Sequence, residues 1–240
     1  MCFHISSNSN SKKLEQRFNS KVKSGLEINP KIHINGFEHS LVPVITSNEP
    51  NIIQTFNWGF IPQFTKDFDD AKKRMNQTLN ARGETVFTLP SFKYSTKTKR
   101  CLVLIDGFYE WRSISGRKYP YFIFLKNREP FALAGIYNDW LNIQTGEIIN
   151  SFSIITTQAN PLMIKIHNSK MRMPLILEKE VENHWIDPNL KQDELINLIK
   201  PFDERFMEAY TISKLINANP NENNQDIQKS YEYPELAMFD

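Results

Sequence analysis

Only two of the 240 residues are cysteine, Cys2 and Cys101, which excludes a disulfide framework and a cysteine-rich zinc site. Glycine is scarce as well. The eight glycines show no Walker or Rossmann spacing, so nucleotide-cofactor chemistry has no support. His4, His33, His39, His167 and His184 lack paired ligand spacing, and neither a metal nor another cofactor is expected. No apolar run approaches the length of a membrane span, so no membrane partner is expected. The stretch from Met1 to Asn8 has neither a basic n-region nor an apolar h-region, which points to a cytoplasmic protein. A formal net charge of +2 is too small for the whole surface to attract nucleic acid.

What is present is a charge asymmetry and a run of strand-like segments. Between Trp58 and Lys118 basic residues outnumber acidic ones by about two to one, and after Leu177 the balance reverses. Leu14, Phe18 and Val22 recur every fourth residue and predict a helix from Ser11 to Lys23 capped by Ser11. Extended segments are expected at Ser40 to Thr46 and Ile52 to Trp58, with Pro43 marking an edge or a bulge. More are expected at Arg100 to Ile105, Tyr119 to Leu125, Phe131 to Trp140, Ser151 to Thr157 and Met173 to Leu177. Asn160 to Ile166 reads as one short helix leading to His167, and Lys191 to Lys200 as a helix stopped by Pro201. The fold class is therefore α+β: a single domain with a mixed, mostly antiparallel sheet curled toward a barrel, flanked by helices. Residues 1–216 form that domain. Residues 217–240, with their Asn-Pro-Asn-Glu-Asn-Asn run, read as a polar extension, either loosely held or packed on the domain.

Cys2 has a chemistry no other position offers. Aminopeptidases remove Met1 when the next side chain is small, leaving a free α-amino group beside a thiol. An α-amino pKa of about 7.7 to 8.0 keeps on the order of a tenth of it neutral at pH 7. Such a 1,2-aminothiol can condense with an aldehyde to an imine, which the thiol then closes to a thiazolidine. The plain alternative is that Cys2 is incidental.

Six motifs follow Cys2 in fixed order: Trp58-Gly59-Phe60-Ile61-Pro62, Asn80-Ala81-Arg82-Gly83-Glu84-Thr85, Arg100-Cys101-Leu102-Val103, Gly107-Phe108-Tyr109-Glu110-Trp111, Thr156-Thr157-Gln158-Ala159-Asn160, and Ile166-His167 with Arg172-Met173-Pro174. The ordered set closely resembles the SOS response-associated peptidase family, whose vertebrate members are known as abasic-site shielding proteins. The resemblance runs from Cys2 to about Leu177. It implies a monomer that senses abasic sites in single-stranded DNA, acting at the nucleoid, and that cross-links to them covalently through Cys2, with abasic-site lyase and self-processing activities as companions. It further implies Cys2 as nucleophile, Asn80 as its orienting residue, Glu110 as proton carrier and His167 as the group that protonates the sugar ring oxygen. Trp58 and Pro62 would border the DNA, Arg82 and Arg172 would contact phosphates, and His4, Thr157 and Asn160 would touch the backbone.

Three positions depart from the family pattern. Phe3 and His4 stand where Gly-Arg usually follows the cysteine, the interval from His167 to Arg172 is lengthened, and Phe64 replaces a second tryptophan. Taken singly, Asn80 also reads as a helix cap, Glu110 and His167 as satisfied structural groups, and Trp58 and Trp111 as core. Two other functions remain open at this level: a cysteine peptidase with His167 as base, and a non-covalent reader of damaged or modified DNA.

Overall fold

Val42-Pro43-Val44-Ile45, Cys101-Leu102-Val103-Leu104 and Phe152-Ser153-Ile154-Ile155 are apolar at nearly every position, as strands buried on both faces must be. In the computed structural model, which describes residues 2–218 and 224–238, these segments are the staves of a barrel. The strands are β1 (His4–Ser7), β2 (Lys21–Val22), β3 (Lys31–Asn35), β4 (Leu41–Thr46), β5 (Ile52–Trp58), β6 (Asn80–Arg82), β7 (Arg100–Ile105), β8 (Gly107–Ile114), β9 (Arg117–Leu125), β10 (Phe131–Leu141), β11 (Ile148–Gln158), β12 (Arg172–Pro174) and β13 (Met207–Thr211). The order β11-β10-β7-β4-β5 is antiparallel throughout and closes on itself where β5 runs parallel to β11, Phe152 opposite Trp58. β6 adds parallel to β11 and β12 antiparallel to it. A second sheet, β13-β9-β8-β1-β3, is antiparallel throughout.

Alternation along β7 divides the core. Cys101, Val103 and Ile105 join a cluster with Ile5 and Phe108 of the second sheet, while Leu102 and Leu104 join one with Leu14 and Trp185 from the helices. The hairpin between β8 and β9 turns on Ser115 and Gly116, both at positive φ, as a two-residue turn between right-twisted strands requires.

Several expectations are corrected. The first helix, α1 (Ser11–Phe18), ends where Asn19 adopts a left-handed conformation at φ 48°, and Val22 lies in β2. Its cap is Asn10, whose side chain accepts from Lys13 N–H, rather than Ser11. Pro43 sits in an interior strand: it faces Thr55 of β5, and the ladder to β7 begins only at Val44, so no bond is asked of its missing N–H. The C-terminal third supplies a strand as well as the helix read there, because β13 extends the second sheet along β9. Part of the 217–240 extension, 219–223 and 239–240, lies outside the described residues. The rest is docked: Ile227 and Leu236 are buried, and Gln228 Nε2 donates to Ser6 Oγ and to the Tyr109 hydroxyl, each at 2.9 Å. No helix among the described residues is long and apolar enough to cross a membrane.

Candidate functional site

β1 lies between β3 and β8, with His4 opposite Tyr109, so the residues just before it sit beside the strand that carries Glu110. Cys2 is fully buried. Its carbonyl accepts a 2.8 Å hydrogen bond from Asn80 Nδ2, and its thiol donates weakly to the His4 carbonyl. Asn80 is no helix cap; it is held in β6, opposite Ile154 of β11. Its Oδ1 is buried with no hydrogen-bond partner among the described residues.

His167 follows the helix α2 (Pro161–Ile166). Asn160 caps this helix: its Oδ1 accepts from Met163 N–H, and Pro161 supplies the first-turn geometry. His167 Nδ1 lies 2.8 Å from the Arg172 carbonyl, which can only accept, so the ring proton sits on Nδ1. Nε2 then presents its lone pair to Glu110 Oε2 at 3.7 Å. Burial pushes the Glu110 carboxyl up to about 8, offset in part by the positive chain terminus and the Trp111 N–H. Burial, then the same positive terminus, pull His167 down to about 4, against the Arg172 carbonyl. At neutral pH the pair is mostly an acid facing a neutral imidazole rather than an ion pair. Burial also drives the Cys2 thiol far above its ordinary range, and the negative form of Glu110 adds to this.

A cavity of about 520 Å³ opens beside the pair, at the edge of β8 that β1 leaves unpaired beyond Tyr109. Glu110 and His167 contribute its buried acid and base, Phe3, His4 and Trp111 its aromatic walls, and Lys118 and Lys170 two exposed cations. His4 is bonded to His33 at 2.9 Å and meets Trp111 edge-on; burial and then His33 hold its pKa down to about 3, so it faces the cavity uncharged.

Cys2, Asn80, Glu110 and His167 are thus brought together, whereas most of the expected DNA contacts are not at the surface. Trp58 is fully buried, stacked on Phe152 and donating from Nε1 to the Leu79 carbonyl at 2.9 Å, so it cannot stack on a base. Pro62 is buried and its carbonyl accepts from Thr65. Thr157 is buried, and Asn160 is spent on its cap and on the Phe202 carbonyl. Arg172 forks onto Glu84 and bonds Thr156, which leaves it fastening strands rather than reaching a phosphate. Arg82 is exposed and His4 lines the cavity. Trp111, Lys118 and Lys170 are cavity groups that no motif singles out as such; the adjacency of Trp111 to Glu110 is the signal the sequence offers.

The family model described as SOS response associated peptidase (SRAP) matches residues 1–219. The chain belongs to the SRAP family. This SRAP chain is 37% identical over 194 residues to the abasic site processing protein YoqW of Bacillus subtilis (strain 168), covering 80% of this chain and 83% of that one. It is 30% identical over 192 residues to the abasic site processing protein HMCES of Gallus gallus, covering 71% of this chain and 55% of HMCES. An X-ray crystal structure of a Bacteroides thetaiotaomicron protein superposes with a TM-score of 0.89 at 38% identity, covering 96% of this SRAP chain and all of the other.

Proposed function

We propose that this chain processes abasic sites in single-stranded DNA by covalent capture through Cys2 once Met1 has been removed. The observation that carries the reading is the placement of Cys2, fixed through its carbonyl by Asn80, beside a buried acid and a neutral imidazole. The names of the relatives from Bacillus subtilis and Gallus gallus point the same way. The neutral amine of Cys2 attacks C1′ of the ring-opened sugar, forming a C–N bond while the carbonyl oxygen becomes a hydroxyl. Glu110, held protonated by burial, gives its proton to that hydroxyl as water leaves and an imine forms. The imine carries its proton on nitrogen, so the carboxylate so produced takes the thiol proton as Sγ bonds to the imine carbon, and the acid is restored. The balance is aldehyde plus aminothiol to thiazolidine plus water. Asn80 Oδ1, without a hydrogen-bond partner among the described residues, accepts from the new α-amino group and aims its lone pair. Neutral His167 Nε2 accepts the C1′ hydroxyl proton as the sugar ring opens and delivers it to the ring oxygen.

Single-strandedness suits a cavity at a strand edge, where an extruded sugar enters without its complement. Lys118 and Lys170 meet the flanking phosphates and Trp111 offers a face to a neighbouring base. A cysteine-peptidase reading has less support, since the thiol is buried and protonated, while the His167 nitrogens address Arg172 and Glu110.

The test is a denaturing gel of Met1-processed protein with a single-stranded oligonucleotide carrying one abasic site, beside Cys2→Ala and an undamaged strand. A heat-stable shifted band that needs both Cys2 and the lesion is expected. Its absence, with a free Cys2 verified by mass spectrometry, overturns the reading.

A further inference from the structure

On β8 the ladder to β1 ends at Tyr109, while β9 continues to pair on the other side as far as Ile114. From Glu110 onward the β1-side edge of β8 has no strand beside it among the described residues. Partly buried backbone groups at such an edge need partners. At Ser113 they find Asn168: Oδ1 accepts from Ser113 N–H at 3.0 Å, and Nδ2 donates to the Ser113 carbonyl at 2.8 Å. These are the two bonds an antiparallel strand would exchange with that residue.

The placement matters because Asn168 directly follows His167, and Ser113 lies on the same strand as Glu110. One side-chain amide thereby ties together the two segments whose side chains meet at 3.7 Å. We propose that Asn168 is a positioning residue: standing in for a strand partner at Ser113, it fixes the separation of Glu110 and His167 and closes the gap between them to water. Its consequence for rate rests on the abasic-site reading; its consequence for His167 does not.

The requirement is for a donor and an acceptor on one short arm. Aspartate has the same shape but turns a lone pair toward the Ser113 carbonyl, and glutamine carries the right groups one methylene too far out. Without the clamp the turn bearing His167 shifts, water reaches the pair, and both groups return toward their ordinary values, Glu110 becoming more acidic and His167 more basic.

The experiment measures the cross-linking rate from pH 4 to pH 8 for wild type, Asn168→Ala and Asn168→Asp, together with an NMR titration of the His167 imidazole. At pH 8 both variants are expected to be slower by about tenfold or more. The deficit of Asn168→Asp relative to wild type should shrink as the pH falls and its carboxyl regains a proton to donate, whereas that of Asn168→Ala should persist. His167 should titrate closer to 6.5 in Asn168→Ala than in wild type. Unchanged His167 titration in both variants overturns the proposal, even if rate is lost, since general destabilisation would slow the reaction without moving that group. Should wild type form no cross-link at all, the abasic-site reading falls and the His167 titration alone decides the clamp. If Asn168→Ala does not fold, the isosteric Asn168→Asp carries the same comparison.

Discussion

Glu110 and His167 face each other at 3.7 Å and are displaced in opposite directions by the same burial, the carboxyl up to about 8 and the imidazole down to about 4. Two groups that would form an ion pair in water are here a protonated acid and a neutral imidazole, which on the proposed reading supplies both ends of a proton transfer at neutral pH.

It also gives the protein a pH signature. A carboxyl raised in the folded state contributes stability that is full below its unfolded value near 4.5 and is lost as pH rises to about 8. A lowered histidine contributes stability above about 6.5 that is lost as pH falls through about 4. The two slopes oppose between 4.5 and 6.5, so the alkaline loss should appear above 6.5. Glu110→Gln should abolish that loss and raise the melting temperature at pH 8 by on the order of 5 °C, measured by calorimetry across pH.

Asn80 should matter for rate more than for stability. Asn80→Ala removes the bond to the Cys2 carbonyl and the acceptor offered to its amine, so single-turnover cross-linking should slow by about a hundredfold with little change in melting temperature. A normal rate would remove Asn80 from the mechanism.

The two tryptophans should separate cleanly. Trp58→Phe strands the Leu79 carbonyl and opens space in the core, at a cost of roughly 2 kcal/mol in denaturant unfolding, with DNA affinity unchanged. Trp111→Ala should leave stability near wild type and weaken binding to a single-stranded oligonucleotide by about tenfold, read by fluorescence anisotropy.

Salt dependence distinguishes the cations. Lys118→Ala or Lys170→Ala should reduce the slope of log affinity against log salt by about 0.7 on single-stranded DNA. Arg172→Ala should leave the slope unchanged and lower stability, because its guanidinium is committed to Glu84 and Thr156.

The contrast between Trp58 and Trp111 shows what sequence could and could not supply. The barrel strands were legible because residues buried on two faces must be apolar almost throughout, and Ile52–Trp58 and Arg100–Ile105 fall where that pattern put them. Cys2, Asn80, Glu110 and His167 are marked as a set by the family resemblance and not by residue type alone, and the fold brings them together. Exposure was not legible: whether a tryptophan faces a core or a cavity depends on where a distant strand stops, here β1 at the level of Tyr109. β13 was missed because Glu208, Ala209 and Tyr210 lack the apolar run that marks a buried strand, and its place is set by pairing with β9. Asn168 was passed over because nothing local distinguishes an amide that replaces a strand from one in a turn.

β1 is an interior strand, enclosed by β3, β8 and finally by Gln228. Each of those partners lies later in the chain, so during synthesis β1 waits unpaired until each is made. The burial of Cys2 is therefore completed late, once segments from the whole length of the chain have come together.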